Sequence, residues 1–296
     1  MHGVLLVDKP EGLTSAAVVA RVKRALRARK VAKVGHLGTL DPFATGLLPI
    51  CLGEATKLAQ FLAAESKRYV GEIVLGSATD TLDRTGTVVE TQPVPVLTPA
   101  AIAAALRGLR GPILQTPPMY SALKQGGVPL YRLARQGQEV ERPARAVDVT
   151  AFDVAVTAPG RLVFSVACSK GTYVRVLAQD LGRALGTVAH LGALRRTEFG
   201  PFGLGEALPL DRVDDLARDG VLPVVSLSAA MMRYRAVVAD AGLITAIRHG
   251  RQQALRVLGA PRAAAEVVRI ESADGVLVAV AEAAGEGGWR LARVMA

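Results

Sequence analysis

The sequence departs from any regular periodicity between residues 35 and 46, where it reads GHLGTLDPFATG. Three glycines in this stretch permit close backbone approach, and Pro42 stiffens the chain directly after a lone acidic residue, Asp41. An aspartate that simply caps a turn is the ordinary interpretation of such a pattern. The alternative is a loop that holds one carboxylate rigidly for chemistry.

The segments on both sides of this loop predict an α+β fold. Residues 4–7 form a short apolar strand, and Val18, Val22 and Leu26 then recur at helical spacing behind a cap at Thr14 or Ser15. The further predicted elements are a buried strand at 47–52, a helix at 54–64, strands at 69–76 and 86–90 that pair with each other, a helix at 98–107, a hairpin of 148–156 with 162–168, and a helix at 172–185 that ends at Gly186. Together they favour a mixed, mostly antiparallel sheet with flanking helices.

The chain is predicted to divide near residue 230. Residues 1–230 would form the larger domain, in which the charged, glycine-bracketed segment 124–145 is expected to be an exposed and mobile insertion. Residues 231–296 contain short β-like runs between glycine-rich turns and predict a small β-rich module.

Charge and composition indicate a polyanionic partner. The 296 residues have a formal net charge of +10 and a pI near 10.0, a balance typical of nucleic-acid-binding proteins. The basic residues that crowd one segment are Arg21, Lys23, Arg24, Arg27, Arg29, Lys30 and Lys33. A solvated helix face is the other interpretation of that cluster.

Other sequence features argue against a membrane protein and against a metal site. No apolar stretch approaches the roughly 20 residues that a membrane span needs, and the N-terminus does not fit a signal peptide, so a cytoplasmic protein is expected. Cys51 and Cys168 lack the paired spacing of a zinc site and lie in apolar runs, which predicts two buried thiols and no metal.

Several blocks resemble the TruB family of tRNA pseudouridine-55 synthases, in the order that the family has them. These blocks are GVLLVDKPEGLTS, GHLGTLDPFATGLLPICLGEATK, KRYVGEIVLGSATDT, PPMYSALKQGG, CSKGTYVR and AHLGALRR. The resemblance implies the pseudouridine synthase fold with a C-terminal PUA-like RNA-binding domain. It also implies an enzyme that isomerises the T-loop uridine of tRNA, without cofactor or guide RNA, as a monomer.

The resemblance also assigns roles to individual residues. Asp41 matches the catalytic aspartate, Arg175 the arginine that pairs with it, and Tyr69 the tyrosine that stacks on the target base. The residues expected to bind substrate are His36, Tyr173, Leu194, Lys9 and Lys57. Lys9, together with Pro10, resembles the motif that supports the active-site loop. Lys57 could equally be a solubilising surface residue. Arg195 and Arg196 are placed where they could reach RNA phosphates.

The chemistry requires such residue types. The C1′–N1 bond must break, the uracil must turn, and its C5 must bond to C1′; a carboxylate can stabilise or trap the electron-poor sugar carbon. Covalent attack at C1′ and removal of the 2′ proton both remain open. The alternatives are a guide-dependent synthase, an RNA-binding or RNA-folding protein without catalysis, and a nucleosidase-like hydrolase, which the lack of a second acid in the loop disfavours.

Overall fold

The structure is a computed structural model that describes residues 1–295, with only the backbone of Glu286. Its strands are β1 Gly3–Lys9, β2 Val34–His36, β3 Thr45–Leu52, β4 Lys67–Leu75, β5 Ser77–Thr79, β6 Val88–Thr91, β7 Gly111–Gln115, β8 Lys124–Gln125, β9 Val128–Pro129, β10 Arg145–Ala158, β11 Arg161–Cys168, β12 Ala189–Phe199, β13 Phe202–Gly203, β14 Leu208–Pro209, β15 Val224–Val225, β16 Arg235–Val238, β17 Val267–Glu271, β18 Leu277–Ala283 and β19 Trp289–Val294. Its α-helices are α1 Ser15–Ala25, α2 Ala59–Leu62, α3 Pro99–Arg107, α4 Leu130–Arg135, α5 Val174–Ala184, α6 Val213–Asp219, α7 Leu227–Ala230 and α8 Ala241–Arg248.

The main sheet has the strand order β14-β1-β3-β12-β4-β11-β10-β7. Its pairs are antiparallel except β1 with β14 and β3 with β12, which confirms the predicted mixed and mostly antiparallel sheet in an α+β fold. The parallel pair of β3 and β12 lies in the middle of the sheet, and the loop of residues 37–44 enters β3 there. The sheet therefore places that loop over its own centre.

Local sequence explains the elements nearest to this loop. The Thr14 hydroxyl accepts a hydrogen bond from the backbone N–H of Ala17 (3.0 Å), so Thr14 is the N-cap of α1, as one of the two predicted caps. Val18 and Val22 on the inner face of α1 are fully buried against the sheet. The predicted first strand and first helix are both confirmed.

Two predicted elements were wrong. Residues 54–64 do not form one helix: a 3-10 turn at Gly53–Leu58 precedes the short α2, and the Thr56 hydroxyl stabilises the tighter turn by donating to the Gly53 carbonyl oxygen (2.8 Å). The strand at 69–76 does not pair with 86–90, because β4 pairs with β11 and β12. The chain turns at Gly76, and the later segment pairs with β5 instead.

The segment predicted as an exposed insertion contains a small hairpin, β8 with β9, and helix α4. Most of it is exposed, but Leu130 is buried and its backbone N–H bonds to the carbonyl of Leu123 (2.7 Å). Its mobility stays a prediction.

The C-terminal residues form a second sheet of order β16-β17-β18-β19, so the β-rich character predicted for this region is confirmed. Leu277, Val280 and Met295 from this part share one apolar cluster with Leu6 and Leu58 of the main sheet side. The two sheets are therefore joined by buried apolar surface.

Two further findings concern the bulk properties. Cys51 and Cys168 are buried free thiols, as predicted, and burial raises the pKa of Cys51 to about 12. Within residues 1–295, no helix combines the length and apolar character required to span a membrane.

Candidate active site

The loop that carries Asp41 is held from below by buried polar side chains. The Ser15 hydroxyl accepts from the backbone N–H of Leu40 (2.9 Å) and donates to the carbonyl of the same residue (3.0 Å). Lys9, with no exposed surface, donates to the carbonyls of Pro10 (2.9 Å), Leu13 (2.7 Å) and Pro42 (3.2 Å). Its charge is buried, so those carbonyls are what compensates it.

Two glycines allow the loop to lie this close to the sheet. Gly38 has φ +64°, and Gly46 has φ +100° with space for no side chain, because a Cβ there would lie 2.3 Å from the carbonyl oxygen of Arg196. The Arg196 guanidinium spans the loop: Nη2 donates to the Gly38 carbonyl (3.0 Å) and Nε to the Leu47 carbonyl (2.7 Å). Both ends of the loop are thus bonded to one side chain.

Arg175 binds Asp41 at the centre of the site. Its Nε lies 2.9 Å from Asp41 Oδ2, and its Nη2 donates to Asp41 Oδ1 (3.2 Å). The same guanidinium donates to the carbonyls of Thr81 (2.9 Å) and Tyr120 (2.8 Å). Because these four contacts reach three different segments, the arginine fixes the carboxylate in both position and orientation.

A second carboxylate completes the charge network, and the sequence analysis missed it. Asp83 Oδ2 lies 3.8 Å from Arg175 Nη1, and its side chain is buried. Its Oδ1 accepts from the Thr81 hydroxyl (2.9 Å) and from the backbone N–H and hydroxyl of Thr85 (2.9 and 2.6 Å). The sequence analysis made no such assignment. An aspartate in a turn does not indicate, from the sequence alone, that it forms an ion pair with an arginine far away in the chain.

Burial and neighbouring charges set the protonation of Asp41. Desolvation raises the pKa of Asp41 above its usual value, Arg175 counters that rise, and the charge of Asp83 adds to it. The side chain is still 33% exposed, in contrast to 5% for Arg175. The carboxylate therefore remains open to a ligand while its partner is enclosed.

Two cavities meet at Asp41. The first cavity, about 340 Å³, has Asp41, Tyr69, Tyr173, Arg175 and Leu194 in its lining. Five of the predicted site residues are therefore brought together around one space. The aromatic and aliphatic side chains among them give this space apolar walls around a single carboxylate, which suits a planar base.

The second cavity, about 720 Å³, also has Asp41 in its lining, together with His36, Asp83 and Tyr131 of α4. Burial lowers the pKa of His36, with a smaller contribution from Arg196. Among residues 1–295, its Nδ1 atom is one of the few buried side-chain polar atoms without a hydrogen-bond partner. His36 therefore contributes to the lining of this cavity and carries one buried polar atom without a partner.

The remaining predicted residues are Lys9, Lys57, Arg195 and Arg196. Lys9 is fully buried beneath the loop, so its assignment to the substrate-binding residues was wrong and its role is to support the loop. Lys57 lies outside the linings of both cavities, where its Nζ donates to the Val294 carbonyl (3.0 Å), and RNA contact there stays a prediction. Arg196 is 1% exposed and cannot reach surface phosphates, whereas Arg195 pairs with Asp8 (2.6 Å).

Across the part of the chain that the structure describes, no cluster of three or more His, Cys, Asp or Glu side chains has a suitable arrangement to hold a metal ion. His190 bonds to the Ser77 carbonyl through Nδ1 (2.9 Å).

Comparisons with known proteins match the chain to one family. The family model for the N-terminal domain of TruB family pseudouridylate synthases matches residues 23–174, and the model for the C-terminal domain of tRNA pseudouridylate synthase B matches residues 175–232. The two models meet at the start of α5 and not at the second sheet.

Individual proteins are similar over most of the chain. A tRNA pseudouridine synthase B of Burkholderia mallei is 46% identical over 286 residues, which cover 96% of this chain and 93% of that protein. Its counterpart in Nitrosococcus oceani is 47% identical over 268 residues, 88% of this chain and 84% of the other. A chain in the crystal structure of a Cbf5-Nop10-Gar1 complex matches with a TM-score of 0.75 and 26% identity, over 99% of this chain and 84% of that one.

Proposed function

Because the chain belongs to the TruB family of pseudouridylate synthases, which isomerise uridine to pseudouridine, we propose that it modifies the T-loop uridine at position 55 of tRNA in the cytoplasm, with Asp41 as the catalytic carboxylate. The observation that carries this proposal is the enclosure of one partly exposed carboxylate between Arg175 and the walls of the first cavity. A uridine drawn out of the RNA loop would place its base against Tyr69 and its C1′ beside Asp41.

The geometry supports a division of labour. Arg175 holds Asp41 through two nitrogen–oxygen contacts and opposes the rise in the pKa of Asp41 that burial causes, which keeps the carboxylate anionic. An anionic oxygen can bond to C1′ as the C1′–N1 bond breaks, or take the 2′ proton. Tyr173 and Leu194 enclose the detached base, so it can turn and present C5 to C1′ without leaving.

The RNA around the target nucleotide would be bound by shape and charge. The exposed basic residues at the end of α1 and in the turn after it include Arg24, Arg27 and Lys30, and Thr14, the N-cap of α1, lines the second cavity. A T-arm with its loop at Asp41 could therefore lay its phosphates along this helix. We further propose that the C-terminal sheet is a PUA-like RNA-binding domain and that the protein acts as a monomer without guide RNA.

Tritium release from a tRNA transcript labelled at uracil C5 tests the function. The protein alone, without any guide RNA, should release tritium, and the modified nucleoside should map to the T-loop uridine. Free uracil as the product would instead assign a hydrolase. Release that begins only when a guide RNA is added would assign the guide-dependent alternative, and tight RNA binding without any reaction would leave an RNA-binding or RNA-folding role.

A further inference from the structure

The floor of the first cavity is one face of two paired strands. Tyr69 of β4 is the Cα partner of Arg196 of β12, and Lys67 is the partner of Phe199. All four of these side chains are buried. Lys67 Nζ lies 4.5 Å from the centre of the Phe199 ring, and the Arg196 guanidinium carbon lies 5.1 Å from it. Two cations thus flank one aromatic ring beneath the base-binding space.

Neither cation has a carboxylate partner. Arg196, which is 1% exposed, donates to the carbonyls of Gly38 and Leu47, and Lys67, which is 7% exposed, donates to those of Ala63 (2.9 Å) and Glu65. Between residues 1 and 295, no carboxylate oxygen lies within 4.0 Å of either cation; the Glu65 carboxylate pairs with Arg233 (3.2 Å). Carbonyl dipoles compensate a buried cation only in part.

The charges that line the cavity are consequently unbalanced. Lys67, Lys170, Arg175 and Arg196 contribute four positive charges, whereas Asp41 contributes the only negative one. Arg175 is already paired with Asp41 and Asp83. Of the three cations that remain, Lys170 is exposed, whereas Lys67 and Arg196 are buried in the lining that they share with Tyr69. A cavity of this kind favours an anion, or a group that becomes one during the reaction.

The reaction itself produces such a group, and the inference rests on the proposed function. When the C1′–N1 bond breaks, its electron pair goes to N1, and the base becomes a uracil anion with charge shared by O2 and O4. This holds whether Asp41 bonds to C1′ or takes the 2′ proton. The C5–C1′ bond then forms as the bond from Asp41 to C1′ breaks or, on the other route, as Asp41 returns the proton to C2′. The C5 proton leaves and N1 takes up a proton, so the overall change is an isomerisation.

We propose that Lys67 and Arg196 stabilise the detached uracil anion and hold it in the cavity while it turns. They are buried in the resting protein without a counter-charge, so they need no rearrangement when the negative charge develops. Both line the cavity together with Tyr69 and act through space, so they do not have to touch the sugar. The walls keep the base in place mechanically, and the two cations lower the free energy of its charged state.

The protonation of Lys67 provides a readout specific to charge. Burial lowers the pKa of Lys67 to about 8, helped by Arg196 and more weakly by Lys170, while Cys168 and Glu65 oppose the shift, and the Phe199 ring is uncharged. Lys67 is therefore a cation below about pH 8 and loses its charge above it. The stabilisation of the base anion should weaken over the same interval.

The test is the single-turnover rate of tritium release at saturating protein, measured between about pH 7 and 9. We expect the wild-type rate to decline above about pH 8. Lys67→Gln keeps a hydrogen-bond donor but removes the charge, and it should react at least about tenfold more slowly, with a flat pH profile and unchanged affinity for the RNA. Lys67→Arg should recover most of the rate and lose the decline at high pH.

Arg68→Gln is the matched control. Arg68 is adjacent in β4 but lies on the opposite face of the strand, 43% exposed and paired with Glu198, so the variant should retain the wild-type rate. A flat wild-type profile, or a Lys67→Gln variant with weaker RNA binding or a lower melting temperature but an unchanged saturating rate, would overturn the proposal. A wild-type protein without any tritium release would instead refute the proposed function itself.

Discussion

Replacement of Asp83 by asparagine isolates the role of the second carboxylate. The shape of the side chain is kept, and its oxygen can still accept from Thr81 and Thr85. The amide nitrogen, however, would then face Arg175 Nη1, where the carboxylate oxygen lies at 3.8 Å. An attractive contact between opposite charges becomes a contact between two donors, and Arg175 is left with Asp41 as its only anionic partner among residues 1–295.

The size of the effect follows from how Arg175 is bound. Loss of a buried ion-pair partner costs about 3–5 kcal/mol in general. The expected loss for Asp83→Asn is smaller, about 2 kcal/mol of unfolding free energy, because the contact is long and Arg175 retains Asp41 and two carbonyls. Displacement of the arginine would also misplace Asp41, so the rate should fall by roughly tenfold or more.

The assay is single-turnover pseudouridine formation beside urea unfolding. Asp80→Asn is the matched control, because it makes the same chemical change in the same turn at an exposed side chain that accepts only from the Thr87 N–H (2.8 Å) and does not approach Arg175. Wild-type rate and stability in Asp83→Asn would refute the view that this carboxylate positions Arg175. Equal defects in both variants would attribute the effect to the turn and not to the charge.

Three more predictions concern the loop and its carboxylate. Gly46→Ala should lower the unfolding free energy by about 3 kcal/mol or more, measured by urea unfolding, because the new Cβ would lie 2.3 Å from the Arg196 carbonyl oxygen at φ +100°; a stable variant would contradict the geometry. Lys9→Met should lower the unfolding free energy by about 2–3 kcal/mol and slow the reaction, because buried carbonyls lose their donor and the loop loses the hydrogen bond from Lys9 to Pro42. Wild-type kinetics in this variant would show that the loop does not need that hydrogen bond. As the pH is lowered, the reaction rate should begin to fall at a higher pH than the ordinary pKa of an aspartate, because burial raises the pKa of Asp41 and the neutral acid is inactive. A pH–rate profile measures this fall. A rate that stays constant down to the usual pKa range of aspartate would be inconsistent with a raised pKa of Asp41.

Local patterns in the sequence were sufficient for the elements that depend on near neighbours. The cap at Thr14, the buried face of α1 and the hairpin of β10 with β11 were predicted because capping, helical spacing and turn residues act within a few positions. The family resemblance added the residues that meet in the first cavity. The resemblance, and not the spacing of residues in the sequence, identified Arg175 as the partner of Asp41.

What the sequence did not reveal depends on contacts between distant segments. Asp83 and Arg175 are more than ninety positions apart in the sequence. The hydrogen bond from Arg175 to the carbonyl of Thr81, close to Asp83, spans 94 positions. Lys9 was assigned to substrate binding and Arg196 to RNA phosphates, whereas the structure buries both side chains. A basic residue that compensates backbone carbonyls has no signature in a single sequence, because its partners are main-chain atoms.

Tritium release by wild-type protein and by Asp41→Asn, each saturated with a C5-labelled tRNA transcript, tests the central claim most directly. The variant keeps the size of the side chain and a contact with Arg175, so RNA binding, measured in parallel by filter retention, should be unchanged. The account predicts release and a pseudouridine at the T-loop uridine with the wild type, and no release with the variant. Release at the wild-type rate by Asp41→Asn would contradict the assignment of Asp41 as the catalytic carboxylate.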